Sequence, residues 1–179
     1  MHARSYATLL FVFLLWITIG QSLASPNSGN TIAISPLNAN DTCNEEFENI
    51  ANSLQPGDEL ILDGGIYTQS CRRAITVVGT AENPITIRAA VGENPILTRP
   101  PNRNHSYPNN NIEIIDSSYL VIKGLRFKGG NSGIRIIGGD HITFEDNDVF
   151  ETGNAGITTN SSDTDAFIIR RNHIHHTGL

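Results

Sequence analysis

The sequence predicts an all-β fold, a right-handed parallel β-helix wound as a single-stranded solenoid with an N-terminal amphipathic capping helix. Three observations carry this expectation. A strand-turn-strand unit recurs between residues 111 and 178, its columns make physical sense when stacked, and one amphipathic helix precedes it. Composition agrees, since 16 Gly among 179 residues, 7% aromatics and a single Met suit short strands and many turns better than a helical bundle.

Residues 1–24 stand apart from that fold. His2 and Arg4 open the chain, Leu9–Ile19 is apolar, and Ser22-Leu23-Ala24 gives the small-x-small pattern of a cleavage site. This reads as a secretory signal peptide, so the domain is residues 25–179 and the expected location is extracellular, or periplasmic in a Gram-negative source. An uncleaved anchor is the other reading, although eleven apolar residues are short for a span, and after cleavage no membrane association is expected.

Export gives Cys43 and Cys71 a meaning, because disulfides persist outside the cytosol. They are the sole possible intramolecular pair, and their bridge would contribute about 3 kcal/mol on the chain-entropy model; two buried free thiols are the alternative. Asn40, Asn104 and Asn160 each begin a glycosylation sequon, which matters only in a eukaryotic source.

In the mature chain, Ser25–Asn30 is a polar leader and Thr31–Ser35 (TIAIS) alternates like a first strand. Thr42 and Glu45 have capping-box spacing, and Phe47, Ile50, Ala51 and Leu54 then recur on one helical face. The helix therefore covers about 42–54 and ends at Pro56-Gly57. A solenoid leaves a core cross-section and a strand edge open at its first coil, so a helix here would serve as a cap; a surface helix on another fold is the alternative. Short strands follow at Glu59–Leu62, Ala74–Val78, Ile85–Ala89 and Ile96–Arg99, and the coils run over about 58–178. Pro100–Asn111, with His105 and Tyr107, is a long irregular insertion.

The repeat is read from Leu120–Gly130 (LVIKGLRFKGG), Ile142–Gly153 (ITFEDNDVFETG) and Phe167–Gly178 (FIIRRNHIHHTG). Superposed, they put Leu125, Asn147 and Asn172 in one column and Phe127, Val149 and Ile174 in another, offset by 22 and 25 residues. Ile112, Ile134 and Ile157 form a third, offset by 22 and 23. Such periods mark solenoids. Each coil carries at least two strands.

Successive coils stack ~4.8 Å apart, so columns must be chemically compatible. The outward columns read Lys123, Glu145, Arg170 and Arg126, Asp148, His173, with Glu113 over Arg135 beside them. Opposite charges on adjacent strands contribute about 0.2–1 kcal/mol each, and the alternation favours this register. Asn147 and Asn172 fall at an inward phase, where an amide is costly unless bonded. An asparagine ladder between coils would satisfy them.

With these residues in view, Leu54-Gln55-Pro56-Gly57-Asp58-Glu59-Leu60-Ile61-Leu62, Gly65-Ile66-Tyr67-Thr68 and Gly79–Ala89 (GTAENPITIRA) resemble the opening of secreted right-handed β-helix proteins of the pectate lyase superfamily. The nearest flavour is that of chondroitinase B and alginate lyases. The resemblance spans residues 31–178 and implies the fold more specifically than any activity. For activity it implies a polysaccharide lyase acting on or binding an acidic polysaccharide by β-elimination. In such lyases Ca²⁺ neutralises a uronate carboxylate, and Lys or Arg removes the α proton. The family's catalytic residues lie on later coils, so none transfers to a position here. The competing class is a noncatalytic module for glycan binding or adhesion.

From the residues themselves, Arg171, His173 and His175 are the candidates for acid–base chemistry. His173 and His175 share an outward face, as a Zn²⁺-binding or acid–base pair would; as solvated histidines they would do neither. Glu145 and Asp148, with Asp163 and Asp165 in Ser161–Asp165 (SSDTD), are candidate Ca²⁺ oxygens. Against each, charge pairing between coils or turn chemistry explains the same residues. A base stacked on a carboxylate stays charged, which disfavours Arg171, over Asp146, as a general base. The net charge of −6 disfavours nucleic acid as a partner. The chain stops at Gly178-Leu179, just after a strand, so a longer reading frame with further coils is expected.

Overall fold

The computed structural model describes residues 29–36, 46–69, 71–102, 109–159 and 164–179. A first strand, β1 (Thr31–Ile34), is followed by helix α1 (Glu46–Ser53). Three strands then make each coil: β2 (Glu59–Leu62), β3 (Gly65–Thr68) and β4 (Ala74–Ile75); β5 (Ile85–Ala89), β6 (Pro95–Arg99) and β7 (Ile112–Ile115). The third coil is β8 (Ser118–Lys123), β9 (Arg126–Gly129) and β10 (Ile134–Ile137), and the fourth is β11 (Gly139–Glu145), β12 (Asp148–Thr152) and β13 (Ile157–Thr159). The last contributes β14 (Thr164–Asp165), β15 (Ile168–Arg170) and β16 (His173–Thr177).

Equivalent strands of successive coils stack into three sheets. The first runs β1-β2-β5-β8-β11, with β14 and β15 both on β11. The second runs β3-β6-β9-β12-β16 and the third β4-β7-β10-β13. Every pairing is parallel, as the repeat demands, and the chain is a parallel β-helix. The predicted columns are in register: Lys123 beside Glu145 and Glu145 beside Arg170, Arg126 beside Asp148 and Asp148 beside His173, Ile112 beside Ile134 and Ile134 beside Ile157. Three strands per coil fit the expectation of at least two, and the third sheet holds the column Ile112–Ile134–Ile157. The third sheet's strands are only two to four residues long.

The core is a bundle of apolar columns. Leu60, Ile87, Ile122 and Phe144 stack in the first sheet and are all buried. Leu97, Phe127 and Val149 do the same in the second. Both columns reach the last coil at Ile169 and Ile174, which are 50% and 43% exposed.

The corner between first and second sheets explains why the coils keep register. Gly124, Asp146 and Arg171 hold φ of 69°, 56° and 55°, so each of the last three coils turns through one left-handed residue here. Gly adopts that conformation freely, and Asp is among the residues that tolerate it best. The next position carries the ladder. The Leu125 amide donates to Asn147 Oδ1 at 3.0 Å, and the Asn147 amide donates to Asn172 Oδ1 at 2.9 Å. Asn147 Nδ2 donates to the Ile122 carbonyl and Asn172 Nδ2 to the Phe144 carbonyl, both at 2.9 Å. One asparagine thus supplies an acceptor and a donor where the turn interrupts the backbone ladder.

At the first coil, α1 buries Phe47 and Ala51 against the core. Its Asn52 acts as a substitute strand: Nδ2 donates to the Ala74 carbonyl at 2.9 Å, and Oδ1 accepts from the Thr76 amide at 2.8 Å. The buried Asp58 carboxylate then joins the segments on either side, accepting from the amides of Asn30 (2.6 Å) and Gln55 (2.8 Å). The expected cap residues Thr42 and Glu45 lie outside the described residues, as do the signal segment, Cys43 and all three sequon asparagines. The Cys43–Cys71 bridge accordingly stays an expectation.

Candidate functional site

Residues that follow the asparagines point the other way. One step after inward Asn147 and Asn172, strand alternation turns Asp148 and His173 to the outer face of the second sheet. His175, two residues further along β16, shares that face. Asp148 Oδ1 lies 3.0 Å from His175 Nε2 and 3.4 Å from His173 Nδ1. The other oxygen, Oδ2, accepts from Arg126 Nε at 3.1 Å. Aromatic stacking orients the rings: Phe150 lies 5.4 Å from His175 at an interplanar angle of 2°, and His175 lies 4.2 Å from His173. His176 Nδ1 meets His175 Nδ1. Arg126 and Lys128 sit over the Phe150 ring at 4.9 and 5.9 Å, and Lys128 pairs with Glu151 at 3.2 Å. Of the sequence candidates, His173, His175 and Asp148 are therefore brought together.

Glu145 and Arg171 belong to a neighbouring network. The Glu145 carboxylate takes Arg170 on one oxygen and Arg171 on the other. Arg171 Nε also donates to Asp146 Oδ1 at 2.7 Å. Asp146 holds Arg171 above the ordinary guanidinium range through that hydrogen bond, while Arg171 lowers Asp146 in return. A guanidinium so paired is a poor proton acceptor. Asp165 is exposed and accepts from the adjacent Ala166 amide at 2.7 Å, and Asp163 lies outside the described residues.

These positions bear on the expected Ca²⁺. The cation wants six to eight oxygens, whereas the Glu145 carboxylate is engaged by two guanidiniums. Among the described residues, the grouping of three potential ligands is Asp148, His173 and His175, two of them nitrogen donors. Calcium does not fit that set.

A second polar cluster surrounds Glu113. This residue lies beside Arg135 as the column predicts, but it is buried and not outward, and its carboxylate accepts from Arg72 Nε at 2.7 Å and from Asn110 Nδ2 at 2.8 Å. Glu113 is 1% exposed and sits in the third sheet beside buried Arg73, Arg99, Asn110 and Asn111. Arg73 donates to the Tyr67 carbonyl at 2.8 Å and Arg99 to the Asn110 carbonyl at 2.9 Å. Asn111 Nδ2 donates to the carbonyls of Leu97 and Lys128 at 2.9 and 2.7 Å. The Arg72-Arg73 doublet and the Asn109-Asn110-Asn111 run were the available signals, separated by a coil of sequence whose closure no periodicity announces.

No protein-family model and no curated protein matches the chain in sequence. Solved structures do match in fold. An alginate lyase from Paenibacillus sp. str. FPU-7 superposes with a TM-score of 0.69 at 23% identity, over 84% of this chain and 46% of that one. Pectate lyase Pel9A gives 0.60 at 20% identity, over 76% and 38%. A GH136 lacto-N-biosidase from Eubacterium ramulus gives 0.60 at 17%, over 84% and 35%. The architecture is thus one that two polysaccharide lyases and a glycoside hydrolase share, and this chain spans less than half the length of each.

Proposed function

We propose that the chain is part of a secreted carbohydrate-active protein of the polysaccharide lyase type, acting on or binding an acidic polysaccharide. The observation that carries this reading is the fold held in common with the alginate and pectate lyases. Fold alone hosts several chemistries, so the substrate class rests on that likeness. In a β-elimination, a base removes the proton α to the uronate carboxyl group. The electron pair forms the new double bond, and the glycosidic oxygen departs with its sugar. The reading includes export through residues 1–24, a Cys43–Cys71 bridge and α1 as the cap of the first coil.

A noncatalytic glycan-binding role is the second reading, and one observation favours it. Three guanidiniums of the outward faces are engaged by carboxylates, Arg126 with Asp148, Arg170 with Glu145 and Arg171 with Asp146, and a guanidinium so held is poorly placed to act as a general base. Incubation with alginate, pectate and chondroitin, with and without Ca²⁺, separates the two. The lyase reading expects a rise in absorbance from the unsaturated product on at least one polymer. Retardation in a polymer-containing gel with no product on any of them would leave binding alone.

A further inference from the structure

We infer that Asp148, His173 and His175 form a binding site for a borderline transition cation, Zn²⁺ above all, on the outer face of the second sheet. The site is independent of the polysaccharide reading.

Geometry is the first argument. Two ligands of one Zn²⁺, each ~2.0–2.2 Å from the metal, lie roughly 3–3.5 Å apart. Asp148 Oδ1 stands 3.0 Å from His175 Nε2 and 3.4 Å from His173 Nδ1, and the three ligand atoms all lie within 4.8 Å of one another, so modest ring rotations would bring them to one cation. Donor chemistry agrees, because two imidazole nitrogens and one carboxylate oxygen suit Zn²⁺ and leave a fourth position for water. His173 is 74% exposed and His175 27%, so that position faces solvent.

The surroundings provide what metal-binding histidines require, a partner for the nitrogen that does not ligate. His175 Nδ1 meets His176 Nδ1. In the metal-free chain, Nε2–H of His175 can donate to Asp148. With Nε2 free to face a cation, Nδ1–H of His175 would donate to His176 Nδ1, and His176 would then carry its own proton on Nε2. Arg126 holds Asp148 Oδ2, which turns Oδ1 toward the histidines, and Phe150 fixes the His175 ring plane. His176, Arg126 and Phe150 are positioning residues.

Coil stacking accounts for His173, the cross-strand partner of Asp148, but not for His175. That residue is the partner of Phe150, yet its Nε2 turns to the same Asp148 oxygen that His173 faces.

Untagged protein titrated with ZnCl₂ in a calorimeter tests the inference. One equivalent should bind with micromolar affinity, and CaCl₂ should give no comparable heat. Asp148→Ala, His173→Ala and His175→Ala should each weaken Zn²⁺ binding by at least ~10-fold. His141→Ala, on another face, should leave it unchanged. Circular dichroism of each variant reports whether it folds, and the Co²⁺ form gives a second readout: its visible d–d bands should vanish in His175→Ala. Absence of Zn²⁺ binding by the folded wild-type chain, or binding that survives His173→Ala and His175→Ala, overturns the site.

Discussion

Asn147 and Asp148 are neighbours in sequence and in coil, as are Asn172 and His173, yet the two pairs obey different rules. The asparagines face inward, and each repeats the same bonds one coil along: an acceptor for the backbone amide of the preceding coil and a donor to its carbonyl. The outward residues change chemistry at every step, from Arg126 to Asp148 to His173. Translation constrains the inner column because a buried polar group without its partner costs free energy. Solvent relaxes that demand outside, where sequence is free to diversify. Repetition marks what holds the solenoid together, and departure from repetition marks where its surface chemistry lies.

The largest effect should come from the inner column. Asn147→Ala orphans the Leu125 amide and the Ile122 carbonyl in a buried corner, and at roughly 1–3 kcal/mol per lost partner the chain should lose about 4 kcal/mol. Urea unfolding measures it. Glu113 tests the rule from the other side, since it sits beside the varied Arg135 yet is buried by the polar cluster around Arg72 and Asn110. Glu113→Ala should cost about 3 kcal/mol by the same measurement. A loss near zero would mean that solvent reaches the cluster.

Smaller changes are expected where pairs face water. Glu145→Gln breaks contacts with Arg170 and Arg171, whose side chains are exposed, and should cost no more than ~1 kcal/mol, falling with added salt. The pair Glu59–Arg88 should be visible chiefly in pH dependence. Arg88 donates to Glu59 and holds it below its ordinary value of 4.5. A lowered carboxylate contributes stability that is present above its unfolded value and lost as pH falls through the folded one. Glu59→Gln should therefore lower stability in the neutral region, where the lowered carboxylate contributes, and flatten the acid side below about pH 4.5, where variant and wild type converge, as urea midpoints across that range would record.

How far the sequence disclosed this molecule follows the same division. The columns Leu125–Asn147–Asn172 and Phe127–Val149–Ile174 were legible because repetition is visible in one dimension. So was the outward register of Asp148 with His173, since alternation along a strand fixes which face a residue takes. The convergence of His175 on Asp148 was less so. It depends on side-chain rotation and on the aromatic stack over Phe150, which spacing does not encode. The third sheet was legible in its column Ile112–Ile134–Ile157, whereas the Glu113 cluster was hidden because Arg72 meets Glu113 across 41 positions of sequence. The helix was legible from Phe47, Ile50, Ala51 and Leu54, whereas Asn52 gave no sign that it would take the place of a strand at the edge of β4.

Amide hydrogen exchange at Leu125 tests most directly whether an inward asparagine carries the ladder through the corner. That amide has Asn147 Oδ1, a side chain, as its partner. If the asparagine holds the coils together, Leu125 should exchange as slowly as the buried strand positions Ile122 and Phe127 on either side, and Asn147→Ala should accelerate it by orders of magnitude. Exchange in the wild-type chain as fast as at Gly92, in an exposed turn, would contradict the account.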